Sequence, residues 1–322
     1  MKAFTSELKT ILHSKRANVF YLEKCRVMTK DGRVVYLTEE KKQNAYYNIP
    51  IANTTVILLG IGTSITQSAV RLLASASVLI GFSGNGATPL IAGNEVEWLC
   101  PQSEYRPTEY MQGWMSFWFD ETKRLEVAKS FQKSRINFLK NVWSKDRDLK
   151  QEGFFIDDFE INSALEVFYK QIDYATKAGD LLQKEALLTK QLYKTSAKIT
   201  KIDDFTRERE ASDLANIFLN HGNYLAYGLA ATTLWVLGIS HSFAVMHGKT
   251  RRGALVFDVA DLIKDAIVLP WSFICAKEKA SEQEFRSQIL QKFTEMKALD
   301  FMFDKVKECA LQGGLDYDGN IY

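Results

Sequence analysis

Residues 247–261 read HGKTRRGALVFDVAD, and the rest of the chain is organised around them. A helix from Phe257 onward would place Asp258 and Asp261 on one face, with Asp265 one turn further along the same stripe. Three carboxylates on one helical face repel one another unless a cation lies among them. Imidazole nitrogen and carboxylate oxygen suit Mn²⁺ or Mg²⁺, provided that another acid joins from elsewhere. Taken alone, the stripe fits a solvated acidic face as well as a metal site.

Three basic side chains of this stretch favour the metal site. They lie between two glycines, just after His247, and are Lys249, Arg251 and Arg252. Cations beside a metal-type cluster of acids suit a polyanionic substrate whose phosphate is attacked. We therefore predict that these three residues contact the phosphates of a nucleic acid.

Composition places the chain among ordinary globular proteins. It has 322 residues, of which 46% are hydrophobic and 25% charged, enough for two domains and a sizeable core. Because the formal net charge is only +2, any nucleic-acid surface must be a local patch. The widely spaced cysteines, without a Cys-x-x-Cys pair, argue against a zinc site or a disulfide framework and fit a reducing cytoplasm. They are Cys25, Cys100, Cys275 and Cys309.

Two segments of the sequence bear on targeting and membrane insertion. Residues 1–20 are interrupted by charged side chains and lack the apolar core of a signal peptide. Residues 225–239 would span only about 22 Å as a helix, short of the ~30 Å hydrocarbon layer. We therefore predict a cytoplasmic protein without a membrane segment, in which this apolar helix is buried in the core.

The first hundred residues read as β-strands. Residues 25–29 and 33–37 flank an Asp-Gly turn and predict a hairpin, and residues 56–59 and 78–82 are short β-rich runs. Between these runs, residues 64–76 have helical composition. A Gly-x-Gly-Thr-Ser sequence precedes this helix but lacks the third glycine or the Gly-Lys-Ser/Thr of a phosphate loop. We predict a tight turn there, with Ser64 as the helix N-cap.

Beyond Pro101 and Pro107, helical periodicity dominates the chain. We predict the α+β class, with a β-rich N-terminal domain at 1–103 and an all-α C-terminal domain at 104–322. Pro270 is expected to end the acidic helix, and residues 201–210 to form a mobile connector. Residues 108–145 carry many lysines and arginines, either on a solvated face or on a track for a phosphate backbone. Helices are predicted at 108–145, 162–174, 181–193, 213–238 and 282–309.

Glu185 is the best candidate for the additional acid. In the predicted helix 181–193 it stacks on one face with Thr189 and Tyr193, among leucines. A glutamate in such a place is more often simply exposed at the rim of an apolar stripe. The periodicity alone does not decide between these two roles.

Several segments together resemble one family. Glu185 lies in LLxxEA, His247 in MHGKTRRG, and Asp258 with Asp261 in LVFDVADL. In order and separation these match the CRISPR-associated integrase family, Cas1. In that family a glutamate, a histidine and an aspartate hold the divalent metal, and a further aspartate precedes the last by three residues. The resemblance implies that Glu185, His247 and Asp261 bind Mg²⁺ or Mn²⁺, with Asp258 acting beside them, either through water or by orienting a ligand.

Three further motifs resemble the type I-F branch of this family. They are NIPIANTT at 48–55, PQSEYRPTEY at 101–110 and HGNYLAYGL at 221–229. The resemblance implies homodimerisation through the β-rich domain and catalysis by the helical domain. It also implies a Cas2–Cas3 fusion protein as partner, flanked by two dimers that hold a DNA duplex.

The resemblance implies insertion of spacer DNA by attack of a 3′-hydroxyl on a phosphodiester at the edge of a CRISPR repeat. Two alternatives stay open at this stage. One is a metal-dependent, structure-specific DNA nuclease that acts by hydrolysis only. The other is a non-catalytic DNA-binding scaffold, in which the acidic stripe would be incidental.

Overall fold

The computed structural model describes residues 18–40, 43–84, 97–99, 108–202, 204–208, 210, 213–248 and 253–312. Contacts divide these residues into two units, one ending with 97–99 and the other beginning at 108. Strands make up most of the first unit, and the described elements of the second are helices. The predicted α+β class is thereby confirmed, whereas the roles assigned to the two domains stay predictions.

The first unit contains two four-stranded sheets and a helix. One sheet has the order β4-β3-β2-β6 and the other β1-β5-β7-β8. Buried side chains including Val27, Val34, Ile57 and Leu73 form its core. The elements are β1 (Asn18–Leu22), β2 (Arg26–Lys30), β3 (Arg33–Glu40), β4 (Gln43–Asn48), β5 (Thr54–Leu59), β6 (Ser64–Ile65), α1 (Gln67–Ser75), β7 (Leu79–Phe82) and β8 (Glu97–Leu99).

The predicted hairpin forms as expected. Lys30 pairs with Arg33 across a two-residue turn in which Asp31 and Gly32 have φ values of 51° and 72°. Both residues adopt the left-handed conformation that a tight hairpin turn requires and that Asp-Gly supplies at low cost.

The prediction that Ser64 caps α1 is wrong. Ser64 belongs to β6 and pairs with Arg26 of β2, so its backbone is committed to a sheet. The cap is Thr66, whose side chain accepts a hydrogen bond from the Ala69 amide at 3.3 Å. Gly60 of the same turn has a packing role, because a Cβ there would lie 2.3 Å from the Tyr21 hydroxyl oxygen. The turn therefore accommodates a tyrosine.

The second unit is built around α7, a largely buried helix that corresponds to the predicted core helix. None of the described helices is long and apolar enough to cross a membrane. The helices are α2 (Glu109–Trp118), α3 (Glu121–Lys145), α4 (Arg147–Gln151), α5 (Phe159–Asp173), α6 (Ala178–Thr200), α7 (Leu214–Val236), α8 (Ala254–Ile263), α9 (Leu269–Lys277), α10 (Glu282–Glu295) and α11 (Ala298–Gln312).

Two predicted helices are each divided in the structure. The region 108–145 breaks before α3, because the Asp120 side chain accepts hydrogen bonds from the amides of Thr122 and Lys123 and starts a new helix. The region 282–309 breaks between α10 and α11, where Lys297 has a φ of 53°. Apolar periodicity continues across both breaks, so periodicity alone predicts longer helices.

Pro270 does not end the acidic helix. A π-helical segment, Lys264–Val268, joins α8 to α9, and Pro270 lies in the first turn of α9. Proline is tolerated there because the first turn of a helix leaves backbone N–H groups unpaired.

The predicted connector at 201–210 also differs from expectation. Arg207 donates hydrogen bonds to the side-chain oxygens of Asn216 and Asn220 on α7, at 2.8 and 2.6 Å. Phe205 packs on Phe273, with ring centroids 4.7 Å apart. Residues 204–208 are therefore held against the helical core.

Candidate metal centre

Asp258 organises the segment that carries His247. Its carboxylate is 3% exposed and accepts hydrogen bonds from the backbone amides of Val245, Met246 and His247 at 2.7, 3.1 and 3.0 Å. Three backbone amides thus converge on one buried carboxylate in charge-assisted hydrogen bonds. This single side chain of α8 thus fixes the path of the non-helical segment before it.

The same carboxylate orients the imidazole of His247. Nδ1 lies 2.6 Å from Asp258 Oδ1. Because a carboxylate only accepts hydrogen bonds, Nδ1 carries the proton, and the lone pair of a neutral ring is left on Nε2. Nε2 is 3.9 Å from Asp261 Oδ2. Burial lowers the pKa of His247, but the hydrogen bond to Asp258 and the charge of Asp261 outweigh it, so that the pKa is raised overall.

Asp261 forms an ion pair with Lys264, one turn along the same helix. Burial raises the pKa of the Asp261 carboxyl, yet the charges of Lys264, Arg135 and His247 lower it below its ordinary value. Burial likewise lowers the pKa of Lys264, and Asp261 raises it above the usual range. Both groups are therefore charged at neutral pH, although Asp261 is only 4% exposed.

Arg135 of α3 connects Glu185 to the acidic helix. Its Nη1 donates to Glu185 Oε1 at 2.7 Å, its Nε to Asp265 Oδ2 at 2.7 Å, and its Nη2 to Thr189 Oγ1 at 3.2 Å. Burial lowers the pKa of this guanidinium, but Asp265, Glu185 and Asp261 raise it overall. A planar guanidinium with several fixed donors holds both carboxylates in place.

The structure brings three of the sequence-predicted residues together. Glu185, His247 and Asp261 each offer one ligand atom, and these atoms lie within 4.8 Å of one another. Ligand atoms that share one ion through bonds of about 2.0–2.3 Å lie about 3–4.6 Å apart, so the three side chains are near coordination spacing and would draw together around an ion. One imidazole nitrogen with two carboxylates is a donor set suited to Mn²⁺ or Mg²⁺.

The acids of this cluster are partly neutralised by the protein itself. Cations of the protein, Arg135 and Lys264, lie among the carboxylates of the acidic stripe. Among the described residues of the cluster, Arg135 pairs with Glu185 and Asp265, Lys264 pairs with Asp261, and Asp258 contacts His247. These cations of the protein therefore offset part of the repulsion among the carboxylates.

Sequence reasoning missed Arg135 and Lys264. In the sequence Arg135 is one of many basic residues at 108–145, yet its side chain is 3% exposed in the structure. The neighbouring Lys129, Lys133 and Lys140 each pair with an acid, at 2.9, 2.6 and 2.5 Å. The predicted DNA contacts Lys249, Arg251 and Arg252 lie outside the described residues.

Replacing Asp258 with asparagine is expected to weaken metal binding by about ten- to a hundred-fold. The asparagine NH₂ group would face backbone N–H groups of the His247 segment, and two donors cannot bind each other. The lost hydrogen bonds would lower the free energy of unfolding by about 1–3 kcal/mol and leave the imidazole without its partner. Calorimetric titration with Mn²⁺ and thermal unfolding measure the two effects. Asp304→Asn, at an exposed position of α11, is the matched control. Wild-type Mn²⁺ affinity in Asp258→Asn would contradict this role.

A helical unit that gathers a histidine and two acids at metal-ligand spacing is typical of metal-dependent enzymes that act on phosphate esters. Residues 20–292 match the family model of the CRISPR associated protein Cas1. The chain therefore belongs to the Cas1 family, and the family inferred from its motifs is confirmed.

Relatives and solved structures agree with this membership. The CRISPR-associated endonuclease Cas1 of Pseudomonas aeruginosa (strain UCBPP-PA14) is 54% identical over 311 residues, which cover 95% of this chain and 96% of that protein. The TtCas1–DNA complex has a TM-score of 0.69 at 20% identity, covering 94% of this chain and 95% of that one. A casposase bound to integration product has a TM-score of 0.68 at 13% identity, covering 94% and 96%. At these identities the two structures show a shared fold.

Proposed function

We propose that this protein inserts spacer DNA into a CRISPR repeat array. A 3′-hydroxyl of the incoming duplex attacks a phosphodiester at the edge of a repeat. The observation that carries the proposal is the convergence of Glu185, His247 and Asp261 within 4.8 Å. The casposase supports it, because a protein of the same fold is bound there to an integration product.

Mg²⁺ or Mn²⁺ held by Glu185, His247 and Asp261 would lower the pKa of the attacking hydroxyl and screen the charge of the scissile phosphate. The chain's own residues prepare this site. Asp258 directs Nε2 of His247 toward Asp261, and Arg135 fixes the Glu185 carboxylate. Because these partners are already in place, little rearrangement is needed when the ion binds.

The chemistry requires no covalent intermediate on the protein. The phosphorus–oxygen bond of the repeat strand breaks as a new bond to the donor 3′-oxygen forms, so one phosphodiester replaces another. The leaving 3′-oxygen of the repeat strand takes up a proton. What the protein must supply is alignment of the two strands and stabilisation of the charge on the phosphate.

Two other functions share parts of this site. A nuclease that acts only by hydrolysis would use the same residues with water as nucleophile, and the P. aeruginosa relative is named an endonuclease. A DNA-binding scaffold would need no buried acids. Asp258 and Asp261 are 3% and 4% exposed. Burial of charged groups lowers the stability of the fold, and binding DNA as a scaffold does not require it. The scaffold is therefore the weakest of the three.

The partners proposed for this protein follow from its family. DNA is supported by the TtCas1–DNA complex, a structure of the same fold. The type I-F motifs favour a homodimer that works with a Cas2–Cas3 fusion protein. The basic residues of the His247 stretch, Lys249, Arg251 and Arg252, are proposed to contact the DNA phosphates.

The metal requirement tests this function directly. A labelled donor duplex is incubated with the protein, its partner and repeat-containing plasmid, and label in the plasmid strand is followed on a gel. We expect joining with Mn²⁺ or Mg²⁺ and none with a chelator, with joining restored on adding excess metal. Joining that proceeds unchanged in the chelator would refute the proposed site.

A further inference from the structure

The position of His247 depends on a segment without regular secondary structure. Residues 243–247 are neither helix nor strand, so no ladder of backbone hydrogen bonds fixes them. Asp258 binds the amide groups of Val245, Met246 and His247. A carboxylate cannot bind carbonyl oxygens, so the carbonyl side of the segment needs donors from elsewhere.

Two tryptophans of α2 supply those donors. Trp114 Nε1 donates to the carbonyl oxygen of Phe243 at 3.0 Å, and Trp118 Nε1 donates to that of Ala244 at 2.8 Å. The tryptophans lie one helical turn apart, so their indoles reach consecutive carbonyls. The Trp118 ring also meets the Phe243 ring edge-on, with centroids 5.0 Å apart. The segment is thus held by side chains on both its amide and its carbonyl side.

Both tryptophans are themselves fixed. Trp114 is fully buried and packs edge-on against Phe131 of α3, with centroids 6.2 Å apart. Trp118 is half-buried, and the Arg124 guanidinium lies 5.2 Å from its ring centroid. Arg124 also donates to the Trp118 carbonyl oxygen at 2.8 Å. Because both indole donors are held in place, they restrict the position of residues 243–247 more than a flexible donor side chain would.

We propose that Trp114 and Trp118 are positioning residues for the metal centre: with Asp258 they clamp residues 243–247 and so aim His247. The inference rests on the proposed function, in which His247 binds the metal. If the two tryptophans only packed the core, their rings would be needed but their N–H groups would not, and loss of the N–H groups would leave metal binding unchanged. Phenylalanine separates the two, since it keeps an aromatic ring and removes the donor.

The test compares the double variant W114F/W118F with wild type. Mn²⁺ affinity is measured by calorimetry, strand joining by kcat and by KM for DNA, and folding by thermal unfolding without metal. We expect the Kd for Mn²⁺ to rise about tenfold or more and kcat to fall, with KM for DNA unchanged. The matched control is Trp271→Phe on α9, where the ring packs over Lys292 at 4.8 Å. That control should leave the Kd for Mn²⁺ unchanged.

The outcomes distinguish the clamp from the proposed function. Unchanged Mn²⁺ affinity in W114F/W118F overturns the clamp, as does an equal loss in Trp271→Phe. If the double variant does not fold, Trp118→Phe decides alone, because this half-buried residue can change without opening a large cavity. Wild-type protein that binds no Mn²⁺ refutes the proposed function and the clamp with it. Tight wild-type binding that the variants leave unaltered refutes the clamp only.

Discussion

The His247→Ala variant is expected to join DNA strands at least about a thousand-fold more slowly than wild type. His247 offers the nitrogen ligand of the proposed centre, and its loss leaves two carboxylates to hold the ion. A bound metal contributes several kcal/mol to the stabilisation of a phosphoryl-transfer transition state. A loss of about 4 kcal/mol corresponds to a factor of about a thousand in rate.

This variant should remain folded. The His247 side chain is 22% exposed, and its removal leaves Asp258 with the backbone amides of residues 245, 246 and 247 as partners. His241→Ala, in the same connection between α7 and α8, is the control and should keep its joining activity. Initial rates on the labelled donor, with thermal unfolding in parallel, measure both properties. Joining by His247→Ala within tenfold of wild type would remove this residue from the site.

Asp261 is a less suitable residue for this experiment. Repulsion along the acidic stripe would predict that Asp261→Asn stabilises the protein without metal. The structure predicts the opposite, because Asp261 is 4% exposed and pairs with the Lys264 ammonium, whose side chain is 21% exposed. Removing one partner of a partly buried ion pair leaves the other charge uncompensated and destabilises the fold. A loss of activity in Asp261→Asn would therefore mix the loss of a ligand with the loss of stability.

Local sequence patterns were sufficient for much of the fold. The Asp-Gly turn predicts its hairpin because two consecutive left-handed residues leave few alternatives. The apolar run of α7 predicts a buried helix, and the spacing of Asp258 and Asp261 predicts that they share a helical face. Each of these inferences depends on residues that are neighbours in the chain.

The parts that could not be predicted depend on distant residues. Arg135 contacts Glu185 and Asp265, which are 50 and 130 residues away. In the sequence it resembles the other basic residues of α3, because no pattern in the neighbouring residues indicates that this one arginine is buried. The π-helical segment after α8 likewise has no local signal in the sequence, because a helical pattern continues through Pro270. The roles of Arg135 and Lys264 beside the candidate site therefore become visible only in the folded chain.

A donor duplex without its 3′-hydroxyl is expected to bind normally and to give no joined product. Metal-ligand variants and chelators cannot separate an integrase from a hydrolase, because both use Glu185, His247 and Asp261. The two differ in the atom that attacks phosphorus. In strand transfer it is the donor 3′-oxygen, and alignment by the bound duplex can contribute about 7–11 kcal/mol. Removing that oxygen leaves the donor phosphates, and hence binding, unchanged.

The measurement follows donor label into the repeat-containing strand, with binding checked by mobility shift at the same salt concentration. The 3′-deoxy donor must compete with the normal donor for the protein, which shows that only the nucleophile has been removed. Cleavage of the target by water is scored on the same gel. If the normal donor never joins, while the target is cut equally with either donor, water is the nucleophile. The His247 centre would then belong to a nuclease, and the integrase proposal would be wrong although every metal ligand is correctly assigned.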